Sequence, residues 1–227
     1  MNLIEYLKEE KAKVSTYPME KKLLYLADYY ALWIIGILFV LIFLVYLIYH
    51  MFFAIKENWL YATFVNVMPE ARVVTEIRED FSDYGGYNLK EKNIVLNTSS
   101  YFDASMQGGT NNTYFEVFVA AVEAGDLDIA IMEEDNLKAV GASGRLLDLS
   151  KNEMFAAYED LFVYCTPYDE EYKAEVPVGI DISSSILVSK YHLYPEECVL
   201  GIGAYAEHTD TVIAFLTTLA YLDKENI

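Results

Sequence analysis

Hydrophobic positions fall into two regimes along this chain. From Ala31 to Ile55 the run ALWIIGILFVLIFLVYLIYHMFFAI contains no Asp, Glu, Lys or Arg. As a helix rising about 1.5 Å per residue it would extend about 37 Å, enough to cross a hydrocarbon core about 30 Å thick with some tilt. A buried core helix would be shorter and would show a polar face, which this run lacks apart from His50. Tyr29, Tyr30 and Trp33 at one end, with Trp59 and Tyr61 at the other, read as an aromatic belt. Beyond residue 56 the pattern changes to short β-rich runs alternating with helix-period runs.

Those runs predict strands at Trp59–Val67, Asn93–Thr98, Leu127–Met132, Val176–Ile182 and Cys198–Tyr205. Arg145–Leu149 reads as a further extended run. Helices are predicted from Pro69 to about Asp83, ended by Gly85-Gly86, and from Tyr114 to Ala124, ended by Gly125. Others are expected at Asn136–Ala142, Ser184–Tyr191 and Asp210–Leu222. Lys151–Val163 is ambiguous, with room for a helix from Glu153 to Asp160. Strands alternating with helices imply βαβ units. The expected fold class is therefore α/β, an N-terminal transmembrane helix followed by a mostly parallel sheet with flanking helices. LDIAIM is apolar almost without interruption, as in a sheet covered on both faces.

Residues before the apolar run also read as helical. Thr16 suits an N-cap, Pro18 a first turn and Glu20 the positive end of the dipole, with no breaker before the span. Leu3, Ile4 and Leu7 recur at helical spacing, which fits either a short amphipathic helix or a frayed terminus. Three segments follow: a cytoplasmic helical segment (1–30), the membrane helix (31–55) and an acidic α/β domain (56–227).

Charge sharpens this division. The formal net charge is −19, yet the first thirty residues hold five Lys and five acids. The domain after the span therefore carries the entire excess, thirty acids against eleven basic residues. Such a surface repels phosphate backbones and anionic headgroups, which argues against nucleic acid as a partner and against a domain lying flat on the bilayer. Near the span, Lys11, Lys13, Lys21 and Lys22 lie on one side, against Lys56 and Arg72 on the other. The positive-inside rule then places the N-terminus in the cytoplasm and the domain outside it. The run is too long for a signal-peptide h-region, and no small-x-small site follows Ile55, so a signal anchor is expected. The expected localisation is the cell membrane, single-pass, with the lipid bilayer as one partner and an envelope or transporter protein as another.

Candidate chemistry is sparse. There is no GxSxG, Walker loop, GxGxxG or HExxH, and the only histidines are His50, His192 and His208. No enzyme activity, cofactor or metal site is expected. Gly201-Ile202-Gly203 lies within a strand and reads as a place of close packing. Glu133, Glu134 and Asp135 follow the third strand, at the edge where parallel α/β sheets receive ligands, and are placed to meet a cation or amine. They equally suit a helix N-terminus without any ligand, with Asp135 or Asn136 as the cap. Asn66, Tyr101, Asp181 and Ser183, with Ser99 and Ser100, belong to the same edge, where each also has a turn-forming reading. Cys165 and Cys198 leave two readings open: a disulfide in an oxidising compartment, or two separate buried thiols.

GDLDIAIMEEDNLKAVGASGRLLDLS, VPVGIDISSSIL and CVLGIGAYAEHTDTVIAFLTTL together resemble the solute-binding proteins of bacterial ABC importers with the type II periplasmic-binding fold. The matching elements are Asp128–Met132, Leu146–Leu149 and His208–Leu216, within Asn93 to Leu222. Only Lys151 to Glu175 remains for a second lobe, so the resemblance implies the fold of one lobe. It implies a membrane-tethered interaction or scaffold module. The alternative is a ligand-binding sensor or transport-accessory module for a small solute or cation.

Overall fold

The computed structural model describes residues 3–52, 58–168 and 174–224. The chain divides into two units, residues 1–55 and 56–227. In the first, α1 (Leu3–Ser15) is followed by the long helix α2 (Met19–Phe52). Pro18 sits at the start of α2, where a missing N–H costs nothing, and its carbonyl accepts the first helical bond from Lys22 N, at 3.1 Å. Within α2, Ala31–Met51 is a stretch of 21 residues with mean hydropathy 3.0 and none of it buried. At about 1.5 Å per residue that stretch is about 31 Å long, long and apolar enough to cross a membrane. Phe53 to Ile55, the expected end of the span, lie outside the described residues.

Among the described residues the second unit forms one six-stranded sheet of order β2-β1-β3-β6-β5-β4. Its strands are β1 (Asn58–Val65), β2 (Asn93–Ser100), β3 (Ile129–Met132), β4 (Phe162–Cys165), β5 (Val176–Asp181) and β6 (Val199–Ile202). Its helices are α3 (Ala71–Gly85), α4 (Thr113–Glu123), α5 (Glu134–Ala142), α6 (Ile186–Ser189) and α7 (Thr209–Lys224), with 3₁₀ turns at Leu149–Lys151 and Glu153–Leu161.

Side-chain alternation explains why the strands are buried on both faces. Leu60, Ala62 and Phe64 of β1, with Ile129 and Ile131 of β3, meet Ile77 and Phe81 of α3 and Val212 and Phe215 of α7 in one core. Ala130 and Met132 point the other way, onto Phe118 and Val122 of α4 and Leu137 and Val140 of α5. The two glycines around Ile202 are packing sites, as expected. A Cβ on Gly203 would lie 2.2 Å from the Leu127 carbonyl oxygen, and one on Gly201 2.9 Å from Leu146 Cδ1.

The α/β class holds, but the sheet is mixed rather than mostly parallel. β1 runs parallel to β2 and β3, whereas β3–β6, β6–β5 and β5–β4 are antiparallel. After β5 the chain turns through α6 and re-enters at the same edge, with Val199 opposite Asp181. An antiparallel return needs no crossover across the sheet. β4 begins in the last two residues of the segment that was ambiguous in sequence, and Glu153–Leu161 forms 3₁₀ turns instead of an α-helix. Of Arg145–Leu149 only Leu146 forms a bridge, to Gly203. Trp59 and Tyr61, read in the sequence as the far end of an aromatic belt, lie in β1, with the Trp59 ring 4.2 Å from the Tyr87 ring and Tyr61 against the α4–α5 core.

No disulfide joins Cys165 and Cys198, which are separate buried thiols. Cys165 is opposite Val176 at the start of β5, while Val199, next to Cys198, is opposite Asp181 at its end. Five strand residues place these points about 17 Å apart, far beyond the roughly 7 Å a bridge spans. The two thiols also belong to different cores. Burial raises both, Cys165 with a partial offset from Lys138, and Cys198 to about 12 with a further push from Asp181.

Candidate functional site

β1, β2, β3 and β5 end at a common edge, because β4 and β6 are the reversed strands. Strand order 2-1-3 places the topological switch between β1 and β3, and open α/β sheets receive ligands in the crevice at such a point. Asn66 directly follows β1 and Glu133 directly follows β3, so both stand at this edge beside the switch point.

Local bonding shows what fills this crevice. Asn66 has φ +60, a left-handed conformation that Asn tolerates, and its amide grips the Phe102 backbone at both ends. Nδ2 donates to the Phe102 carbonyl at 2.9 Å, and Oδ1 accepts from Phe102 N at 3.1 Å. Asn136, buried in the first turn of α5, meets the same loop: its Nδ2 donates to Phe102 O at 3.0 Å and its Oδ1 accepts from Ala104 N at 2.7 Å. Asn136 is thus a cross-link and not the cap of α5. Asp135 is not the cap either; Glu133 occupies that position, without a side-chain cap bond.

From the opposite core, the buried hydroxyl of Tyr194 reaches the gap between the two strand ends. It lies 2.7 Å from the Ile131 carbonyl of β3 and 3.1 Å from the Val65 carbonyl of β1. One proton shared between two acceptors fastens the switch point shut. Burial, with the nearby Cys198, raises the Tyr194 phenol well above its ordinary value, so it stays a donor.

The remaining expected residues are engaged in turns. Tyr101 donates to the Val67 carbonyl at 3.1 Å and packs edge-on against Tyr114. Glu134 pairs with Lys138 one turn along α5, while Glu133 and Asp135 are exposed. Asp181 Oδ1 accepts from the Ser183 backbone N at 2.9 Å and from its hydroxyl, and Ser183 Oγ accepts from Cys198 N at 3.1 Å. β6 separates this turn from β3 by two strand spacings, about 10 Å. The structure therefore brings Asn66, Tyr101 and the start of α5 together through Phe102, and leaves Asp181 and Ser183 as a separate knot. Cavities of about 630 and 550 Å³ open elsewhere, and none of these residues lines either.

Two further polar contacts escaped the sequence. Asp128, fully buried where β3 begins, accepts from Tyr61 N at 2.8 Å and meets His208 Nδ1 at 3.1 Å. Burial raises its carboxyl, partly offset by the Tyr61 N–H and by His208. Asp80 of α3 takes hydrogen bonds from Lys190 Nζ, at 2.8 Å, and from the Tyr191 hydroxyl. Burial alone would raise Asp80, but these donors hold it below its ordinary value. Among the described residues no three His, Cys, Asp or Glu side chains converge as a metal site would require. No family model, curated protein or solved structure matches this chain.

Proposed function

We propose that this chain is a single-pass membrane protein, anchored by residues 31–55, that presents its acidic α/β domain outside the cytoplasm as a non-catalytic interaction or scaffold module of the cell envelope. The anchor rests on the exposed apolar stretch Ala31–Met51, which water solvates poorly and a bilayer accepts. The observation that carries the module reading is the switch point between β1 and β3. Tyr194, Asn66 and Asn136 occupy with the chain's own groups the place where a ligand would otherwise sit. The likeness to one lobe of a solute-binding protein fits a domain kept as a platform, since a single lobe has no opposing half to close over a solute.

Two experiments test this. A cysteine introduced at Ser15 is expected to resist an impermeant thiol reagent in intact cells and one at Ser105 to react, against a low background from the two buried native thiols. The reverse pattern overturns the orientation, and loss of the protein from membranes in alkaline carbonate overturns the anchor. In a thermal-shift screen against amino acids, sugars, polyamines and divalent cations, no stabilisation is expected. A saturable shift abolished by Glu133→Ala with Asp135→Ala would instead establish the sensor.

A further inference from the structure

β4 lies at one end of the sheet, hydrogen-bonded to β5 along one side only. The Phe162 N–H closes the preceding turn on the Glu159 carbonyl, and among the described residues no other backbone hydrogen bond joins Val163–Cys165 to a segment besides β5. An edge with unpaired N–H and C=O groups is a template for an added strand. Val163 and Cys165 point into the α4–α5 core, so Phe162 and Tyr164 point to the opposite face.

On that face the cavity of about 630 Å³ runs beside the edge. Phe162, Tyr164 and Pro177 line it together with the carboxylates of Glu153, Glu159, Asp160 and Glu175, and no basic side chain does so. All four acids are exposed, and Tyr164 is 45% exposed, a large apolar surface left uncovered on a strand end. Carboxylates alone would be an ordinary solvated face. Beside an open strand edge and an aromatic wall they acquire a direction: a chain pairing with β4 would lay every second side chain over them.

We propose that the β4 edge is the docking surface of the domain, and that it takes an extended segment of a partner protein with Lys or Arg at alternate positions. Main-chain pairing with β4 holds the segment, and the carboxylates select its charge while Phe162 and Tyr164 pack on the aliphatic stems of its basic side chains. This inference rests on the interaction-module reading and names the chemistry of its partner.

The test uses the full chain in phosphatidylcholine nanodiscs and a fluorescein-labelled peptide of alternating Lys and Val, six residues long, read by anisotropy. Saturable binding is expected, weakened at least about tenfold by Glu159→Lys with Asp160→Lys, both exposed positions that leave the core intact. A peptide of equal charge with Pro in place of Val lacks every second backbone donor and has its φ angles fixed away from ladder geometry, and is expected to bind at least about tenfold more weakly. No saturable binding below about 1 mM overturns the proposal. So does equal affinity for the Pro peptide, or an unaltered affinity in the charge-reversed variant. Because nanodiscs expose both sides of the membrane, this outcome does not depend on orientation. Failure here with the expected cysteine labelling sinks the edge alone, whereas a reversed labelling pattern sinks the envelope reading.

Discussion

Tyr194→Phe isolates the bond that fastens β1 to β3. The substitution keeps the ring, which is buried in the larger core, and removes only the hydroxyl shared by the Ile131 and Val65 carbonyls. The side chain is only 3% exposed, which keeps bulk solvent from taking the hydroxyl's place, so the loss combines a missing bond with acceptors left short of a partner. Such a loss costs about 1–3 kcal/mol. For a domain of this size that corresponds to a fall in Tm of about 2–10 °C. Alkaline pH supplies an independent reading. The folded phenol titrates well above 10, so its contribution is fully present below pH 10 and is lost as pH rises further, while the unfolded chain ionises. Urea denaturation of the full chain in detergent should therefore show wild type losing stability faster above pH 10 than Tyr194→Phe, by up to about 1.4 kcal/mol per pH unit. Identical midpoints at pH 7 and parallel alkaline slopes would refute the claim that this hydroxyl closes the switch point.

Other expectations concern the second polar contact, the tight backbone approach and the thiols. The Asp128 carboxyl is raised by burial, so its contribution is fully present below its ordinary value of 3.8 and is lost as pH rises through the raised value. Measured against Asp128→Asn, wild type should gain relative stability as pH falls from 7 to 4, and a flat difference would contradict a buried, perturbed carboxyl. Gly203→Ala should destabilise by at least about 2 kcal/mol, because its Cβ would meet a backbone oxygen that cannot move away as a side chain would. A neutral result in chemical denaturation counts against the close approach. Cys165 and Cys198 should react with an aromatic disulfide reagent only after unfolding and should give the same gel mobility with and without reductant; a mobility difference would mean a bridge that this fold cannot accommodate.

The helices and most of the strands were legible because burial on both faces imposes near-continuous apolar runs, as in IAIM and VLGI. Strand direction was not legible. Apolar alternation is the same whichever way a strand runs, so nothing in VLGI announces that β6 enters antiparallel between β3 and β5. β4 was hidden because FVYC is short and adjoins turns whose apolar spacing imitates a helix. At the candidate site, the shared edge followed from strand ends, and so did the positions of Asn66, Tyr101 and the acids along it. What could not be read was the occupancy. Tyr194 meets Ile131 from 63 positions away and Asn136 meets Phe102 from 34, and no local pattern encodes such meetings. Asp128 and His208, 80 positions apart, were invisible for the same reason.

The place of β6 has a consequence in time. It is the last of the described strands but sits in the middle of the sheet, between β3 and β5. During synthesis, β2-β1-β3 and the β4–β5 pair can each assemble early, yet neither can join the other until residues 199–202 have emerged. Up to that moment β3 and β5 both offer bare edges, the feature that makes nascent sheets vulnerable to wrong pairing. The apolar helix, by contrast, is complete within the first quarter of the chain. A nascent molecule is therefore committed to its helix long before its sheet is whole, and the closing strand acts as a keystone set from the C-terminal side.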